Sequence, residues 1–172
     1  MIHERELPVI EALKKLNIEY KRYEHENADT MEKCEHIGED VGAKHCKNLF
    51  LTNRQCTDFY LMLTAADKPF RTAVVSKLLG VSRLSFASND LLFEKLGLLP
   101  GSVTPLALCH EGTRGITVVI DEDVASYEKI CVHPCVSTAS YAMQTKELLR
   151  FLHSCGNEIR YVTIMGDLKG ND

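Results

Sequence analysis

Apolar residues recur at Val9, Ile10, Leu13 and Leu16 with helical spacing, and Pro8 stands where a first turn tolerates it. Tyr20 to Glu24 reads as a strand. Asp29-Thr30-Met31-Glu32 has the form of a capping box and predicts a short helix ending near Gly38. Two apolar strands follow, Asn48 to Thr52 and Phe59 to Thr64, joined by the polar segment Asn53 to Asp58. Arg71 to Leu79 reads as a helix stopped by Gly80, and Leu84 to Ala87 as a short strand. Ser88 or Asn89 caps a helix that ends at Gly97. Leu106 to Cys109 and Gly115 to Ile120 read as strands around the turn His110 to Arg114. Lys129 to Val132 and Thr138 to Met143 are strands flanking His133-Pro134. Lys146 to Cys155 is a helix with Leu148, Leu149 and Leu152 on one face and Gly156 as its stop. Ile159 to Ile164 is the last strand, and Gly166 to Asp172 is a polar tail.

Strands dominate the middle of the chain and helices interrupt them irregularly. That is not the strict alternation of a doubly wound fold. The pattern predicts an α/β protein of the α+β type, with a curved mixed β-sheet flanked by helices. Residues 1–172 hold no repeat, linker or low-complexity segment, so a single domain is expected.

Composition narrows the class. Hydrophobic residues make up 45% and charged residues 26%, as in an ordinary globular protein with a substantial core. No apolar run approaches the length of a membrane span. Met1 to Glu6 is polar and acidic, unlike a signal peptide, which makes the cytoplasm the expected compartment. Seven cysteines are odd in number and scattered without a CxxC, so reduced, mostly buried thiols are expected. A net charge of −4 argues against a broad nucleic-acid platform but not against recognition of one nucleic-acid end. Lys44, Lys47, Lys68, Arg71 and Lys77 are candidates for a local basic rim.

Gly101-Ser102-Val103-Thr104-Pro105 is the most constrained loop, opened by a glycine and closed by a proline between apolar segments. Such a loop can offer backbone N–H groups to a carbonyl or an oxyanion. Lys47 heads an apolar strand and is followed by Asn48. A lysine there can sit beside a developing negative charge, although strand-end lysines are mostly just solvated. Strand alternation sends Cys46 to the opposite face, which argues against a cysteine nucleophile. Cys131, His133 and Cys135 share one face by strand periodicity. Pro134 interrupts that strand and a fourth ligand is missing, so no metal is expected. His133 can orient a substrate, shuttle a proton or simply occupy a turn. Ser102, Thr104 and Ser137 are hydroxyl candidates whose ordinary role is turn chemistry.

At these residues the chain resembles the freestanding relatives of the bacterial prolyl-tRNA synthetase editing domain, the YbaK-like aminoacyl-tRNA deacylases. Within them it is most similar to the trans-editing group that removes alanine from mischarged tRNA(Pro). The matching stretches are Lys47 to Leu51, Phe70 to Leu79, Arg83 to Ser88, Leu96 to Pro105 and His133-Pro134. The resemblance implies hydrolysis of the ester joining a small amino acid to the terminal adenosine of tRNA, a translation-fidelity function. It carries the family's essential lysine onto Lys47, its asparagine onto Asn48, the GxxxP loop onto Gly101 to Pro105 and its histidine onto His133. It implies neither metal nor organic cofactor. The implied partners are the tRNA acceptor end, foremost of tRNA(Pro), and a transient contact with prolyl-tRNA synthetase. Where relatives carry asparagine and a later threonine after the His-Pro pair, this chain has Ser137 and Ser140, which bears on the amino acid preferred. Other readings are a deacylase for cysteine or serine and a non-catalytic aminoacyl-tRNA-binding regulatory protein of the same fold.

Overall fold

The computed structural model of the protein describes residues 1–28 and 30–165. Helix α1 (Leu7–Lys15) buries Val9 and Leu13, and strand β1 (Lys21–Glu24) follows it. Helix α2 (Met31–Val41) leads into the antiparallel hairpin of β2 (Cys46–Thr52) and β3 (Phe59–Ala65). Helix α3 (Thr72–Leu79), the short strand β4 (Ser85–Phe86) and helix α4 (Asn89–Leu96) come next. Strand β5 (Thr117–Asp121), helix α5 (Glu122–Ala125), strands β6 (Lys129–Val132) and β7 (Ala139–Gln144), helix α6 (Thr145–Ser154) and strand β8 (Ile159–Val162) complete the order. The expected class holds: sheets flanked by helices, built from mixed strands.

The strands form two sheets. One is mixed and five-stranded, in the order β4-β2-β3-β5-β8, with β3, β5 and β8 mutually parallel. The other is antiparallel, in the order β1-β7-β6. The Lys44–Ile130 bridge joins them: Lys44 N–H donates to Lys129 O at 3.1 Å and Cys131 N–H donates to Lys44 O at 3.0 Å. The residues just before β2 therefore form the seam between the sheets.

Strand β3 is buried along its whole length because both faces are covered, and it reads as an unbroken apolar run for that reason. Phe59, Leu61 and Leu63 enter the main core, while Tyr60 and Met62 pack with Val75, Leu79 and Leu84 in a smaller one beneath α3. Beside β2, the sheet changes along its length. Strand β4 pairs only with Leu51 and Thr52, so the first half of β2 has no strand on that side.

Two expectations are corrected. Helix α2 passes through Gly38 and stops at Gly42, whose φ of +69° suits a glycine cap. Gly38 serves close approach instead: a Cβ there would lie 2.5 Å from Ala43 O and 3.1 Å from the His45 ring. Thr30 is the cap, its Oγ1 accepting from Lys33 N–H, whereas Asp29 lies outside the described residues, as does the tail 166–172. Leu106 to Cys109 is a 3-10 turn (Pro105–Cys109) and not a strand. Thr104 Oγ1 accepts from Leu106 N–H at 3.2 Å and Pro105 supplies a helix-compatible φ, which together divert a short apolar run from the extended state.

Candidate active site

A cleft of about 270 Å³ opens where β2 lacks its neighbour. Lys47, Asn48, Gly101, Val103 and His133 line it, together with Ala28, Thr30, Cys34, His45, Cys46, Leu49 and Val132. Both faces of β2 contribute, because the cleft runs across the strand's open edge; thus Cys46 reaches it as well as Lys47. The Cys46 thiol is no nucleophile: burial pushes its pKa up to about 12, and it donates to Asn48 Oδ1 at 3.7 Å. Two larger depressions, about 980 and about 840 Å³, contain none of Lys47, Asn48, Gly101 or His133. The smaller cleft is the one with converging chemistry.

Lys47 is half-buried, and its ammonium donates to the carbonyl of Lys68 at 2.7 Å. A single carbonyl acceptor leaves two N–H groups of the ammonium for a ligand. Asn48 makes only long local bonds, Nδ2 to Cys46 O at 3.5 Å among them, so its amide remains available. The loop is pinned on both sides of Val103. Ser102 N–H and Oγ both bond Leu99 O, at 3.2 and 2.8 Å, closing a turn in which Gly101 takes φ +84°. Proline second and a left-handed residue third are the type II signature, which calls for glycine. Thr104 and Pro105 start the 3-10 turn and are buried. Ser102, Thr104 and Pro105 therefore shape the loop, while Gly101 and Val103 face the cleft.

His133 forms the opposite wall. Its Nδ1 lies 2.9 Å from Ala139 O, and its Nε2 lies 3.1 Å from Ala28 O and 3.5 Å from Cys34 Sγ. Burial, with His25 nearby, holds its pKa below the usual value against the raising effect of the two carbonyls. The neutral ring carries one N–H, so it donates to one of the two carbonyls, Ala139 O or Ala28 O, while the Cys34 thiol donates to Ala28 O at 3.5 Å. Ser137 bonds Asn27 and sits outside the cleft lining; Ser140 is buried and holds His25 Nε2 at 2.8 Å. Of the rim candidates, Lys68 is buried against Asp121 and is no rim residue, whereas Lys44 and Lys77 are exposed.

Sequence reasoning missed His45. It is 8% exposed, lines the cleft, and its Nε2 has no hydrogen-bond partner among the described residues. Burial, then the neighbouring histidines, pushes its pKa down to about 4. The signal was weak: His45 is two positions before Lys47 but lies outside β2, which begins at Cys46, so strand alternation does not fix its direction. His25 and His45 stand 6.0 and 6.1 Å from the His133 ring. Among the described residues no group of His, Cys, Asp and Glu gathers to hold a metal, and no helix is long and apolar enough to cross a membrane.

The aminoacyl-tRNA editing domain model matches residues 25–151, a span that contains every residue of the cleft. The chain belongs to that family. As a member it is an aminoacyl-tRNA deacylase acting on a tRNA substrate. Prolyl-tRNA editing protein ProX of Acetoanaerobium sticklandii is 28% identical over 156 residues, covering 91% of this chain and 95% of that one. A prolyl-tRNA synthetase associated domain-containing protein of Danio rerio is 35% identical over 144 residues, covering 83% and 78%. The fold matches the crystal structure of a proposed trans-editing enzyme for prolyl-tRNA synthetase with TM-score 0.70 at 19% identity, over 96% of this chain and 100% of that one.

Proposed function

We propose that the protein hydrolyses Ala-tRNA(Pro), clearing alanine that prolyl-tRNA synthetase attaches in error. The carrying observation is that one small cleft gathers the Lys47 ammonium, the Asn48 amide, the backbone of Gly101 and Val103, and the His133 wall. Relatives whose names refer to prolyl-tRNA editing support the choice of tRNA and a transient synthetase contact. An apolar pocket built for proline discriminates weakly against a smaller residue, about 1–3 kcal/mol per methylene, so a second and smaller site is the physical remedy.

Ser102 N–H is used inside its own turn, so the loop's donors to the aminoacyl carbonyl are the N–H groups of Gly101 and Val103. Lys47 holds the terminal phosphate or ribose and stabilises negative charge on the way to the tetrahedral intermediate. Asn48 fixes the α-amino group, and His133 closes the wall behind the methyl. Water adds to the carbonyl carbon, assisted by the free ribose hydroxyl. The C–O ester bond then breaks, and the leaving ribose oxygen takes a proton. The ester is already activated, so orientation and polarisation suffice without a covalent intermediate. The deciding experiment is a deacylation panel with Ala-, Ser-, Cys- and Pro-tRNA(Pro) at one enzyme concentration. Fastest cleavage of the alanyl ester and slow cleavage of the prolyl ester are expected; equal rates for those two would rule out selection by size.

A further inference from the structure

We infer that Asp121 and Lys68 are positioning residues for Lys47, acting through the turn Ala65–Lys68; this rests on the reading of Lys47 as the charge-stabilising group. Among the described residues Lys47 reaches no carboxylate. Its ammonium is held by a backbone carbonyl, that of Lys68, at 2.7 Å. A carbonyl is only as well placed as the turn that carries it, and this turn is clamped.

Lys68 N–H closes the turn onto Ala65 O at 3.2 Å. One carboxylate then grips both of its ends. Asp121 Oδ2 accepts from Ala65 N–H at 3.4 Å, and Asp121 Oδ1 and Oδ2 accept from Lys68 Nζ at 3.0 and 2.9 Å. Asp123 Oδ2 takes the same ammonium from the solvent side at 2.7 Å. Thr64, which pairs with Lys47 across the β2–β3 hairpin, donates to Asp121 Oδ2 at 3.3 Å. Asp121 is fully buried at the end of β5, and Lys68 is 7% exposed.

A buried ion pair is a poor way to gain stability, because desolvation offsets most of the attraction. Its distinctive property is fixed geometry. Here the lysine whose side chain enters the pair is the same residue whose carbonyl receives Lys47. The side chain of Lys68 can therefore be changed without removing the acceptor itself. Only the acceptor's placement changes, which separates positioning from direct contact.

The test is single-turnover deacylation across a range of enzyme concentrations. The substrate is whichever aminoacyl-tRNA the panel shows to be cleaved fastest. Lys68→Met is expected to lower the rate constant by about 10–100-fold while the apparent Kd moves less than about threefold, since small misplacements have effects of this size. Lys68→Arg, which retains a cation for Asp121, recovers most of the rate. In a Lys47→Ala background, Lys68→Met has no further effect. An ammonium-selective ¹H–¹⁵N spectrum shows the Lys47 resonance in the wild type and loses it in Lys68→Met. If Lys68→Met melts below the assay temperature, Asp121→Asn is measured in its place, with the same expectations. A folded variant with the wild-type rate constant and an intact Lys47 resonance overturns the inference, even where Lys47→Ala is inactive. Wild-type turnover by Lys47→Ala overturns the underlying reading instead, and the two failures are thereby distinct.

Discussion

The two ends of the cleft are built from opposite materials. The Lys47 end is charged and its partners are satisfied: ammonium to carbonyl, the turn to Asp121, and Asp121 to Lys68. The histidine end is neutral and under-satisfied. His133 offers one N–H to two carbonyls, and His45 Nε2 has no partner among the described residues. The charged end hangs on the central hairpin β2–β3 of the five-stranded sheet. The neutral end hangs on the seam where residues 44–45 cross to β6, and on contacts spanning about a hundred residues of chain. The contrast suggests a division of labour. A fixed cation answers charge that develops during reaction, while a neutral wall sets the shape of what enters.

The largest effect should come from the charged end. Lys47→Ala is expected to slow deacylation by about 10²–10³-fold, the usual loss on deleting one electrostatic stabiliser. Its melting temperature should stay near the wild type, because the Lys47 ammonium makes one hydrogen bond among the described residues and is only half-buried. Lys47→Arg should rescue poorly, since a planar fork cannot take the place of a compact ammonium against Lys68 O. Single-turnover rates and thermal melts on the same preparations check both halves. A large drop in melting temperature would erase the distinction between the two ends.

The histidine end should be the acid-sensitive one. The pKa of His45 is pushed down to about 4 in the folded chain from an ordinary 6.5, chiefly by burial. Between those values the unfolded chain binds more protons than the folded one, so stability is complete above pH ~6.5 and is lost as pH falls toward ~4. A shift of that size corresponds to about 3 kcal/mol. His133, also lowered, acts in the same direction. Glu6 is a separate case. Burial would raise its pKa, but hydrogen bonds from Arg22, Tyr141 and His3 N–H hold it below the usual carboxylate value. Its contribution is therefore present above pH ~4.5 and lost below it, meeting the histidine window only at its acid end. Urea titrations at half-unit pH steps, for the wild type and His45→Gln, resolve the two. The variant should show a shallower slope from pH 6.5 to 4, and equal slopes would remove His45 as the cause.

The same contrast explains what was legible. Lys47 and Asn48 sit on a strand whose apolar run and hairpin partner are local in sequence, and the Gly101–Pro105 loop carries its own Pro-Gly turn signal. Those are short-range rules, and they can be read from residue order. His45 lies just before β2, where alternation gives no direction, and nothing local says that its Nε2 goes unpaired among the described residues. The link from Lys68 to Asp121 spans 53 positions and depends on the parallel pairing of β3 with β5. Gly38 misled for a physical reason: glycine both ends helices and admits close neighbours, and only the packing of Ala43 and His45 decides which. Leu106 to Cys109 failed because a short apolar run fits a strand or a tight helical turn until its cap is known.

His133→Leu probes the wall directly and should act on shape more than on charge. Loss of the ring strips a donor from Ala139 O and an interaction from Ala28 O, both buried, which costs about 1–3 kcal/mol of stability. The β1–α2 connection is then tied less firmly to the segment between β6 and β7. Activity should fall less than in Lys47→Ala, and the ratio of alanyl to prolyl ester cleavage should fall with it. A selectivity ratio unchanged while the rate collapses would give His133 a chemical role and not a wall's.

The smallest effect should come from Ser137, which the family resemblance sets at an asparagine position. Its hydroxyl is engaged with Asn27 on the half-buried outer side of the β6–β7 connection, and it is absent from the cleft lining. Ser140, by contrast, is buried and bonds His25 Nε2, one step from the His133 ring. Ser137→Ala should therefore leave the deacylation rate within about twofold and stability within about 0.5 kcal/mol, as for a surface position away from special features. Ser140→Ala should cost more, because Ser140 is fully buried and the change removes the hydroxyl partner of His25 Nε2. Paired deacylation assays on alanyl and seryl esters distinguish the two serines. A shift in seryl preference with Ser137→Ala would bring that residue back to the substrate and move the edge of the neutral wall outward.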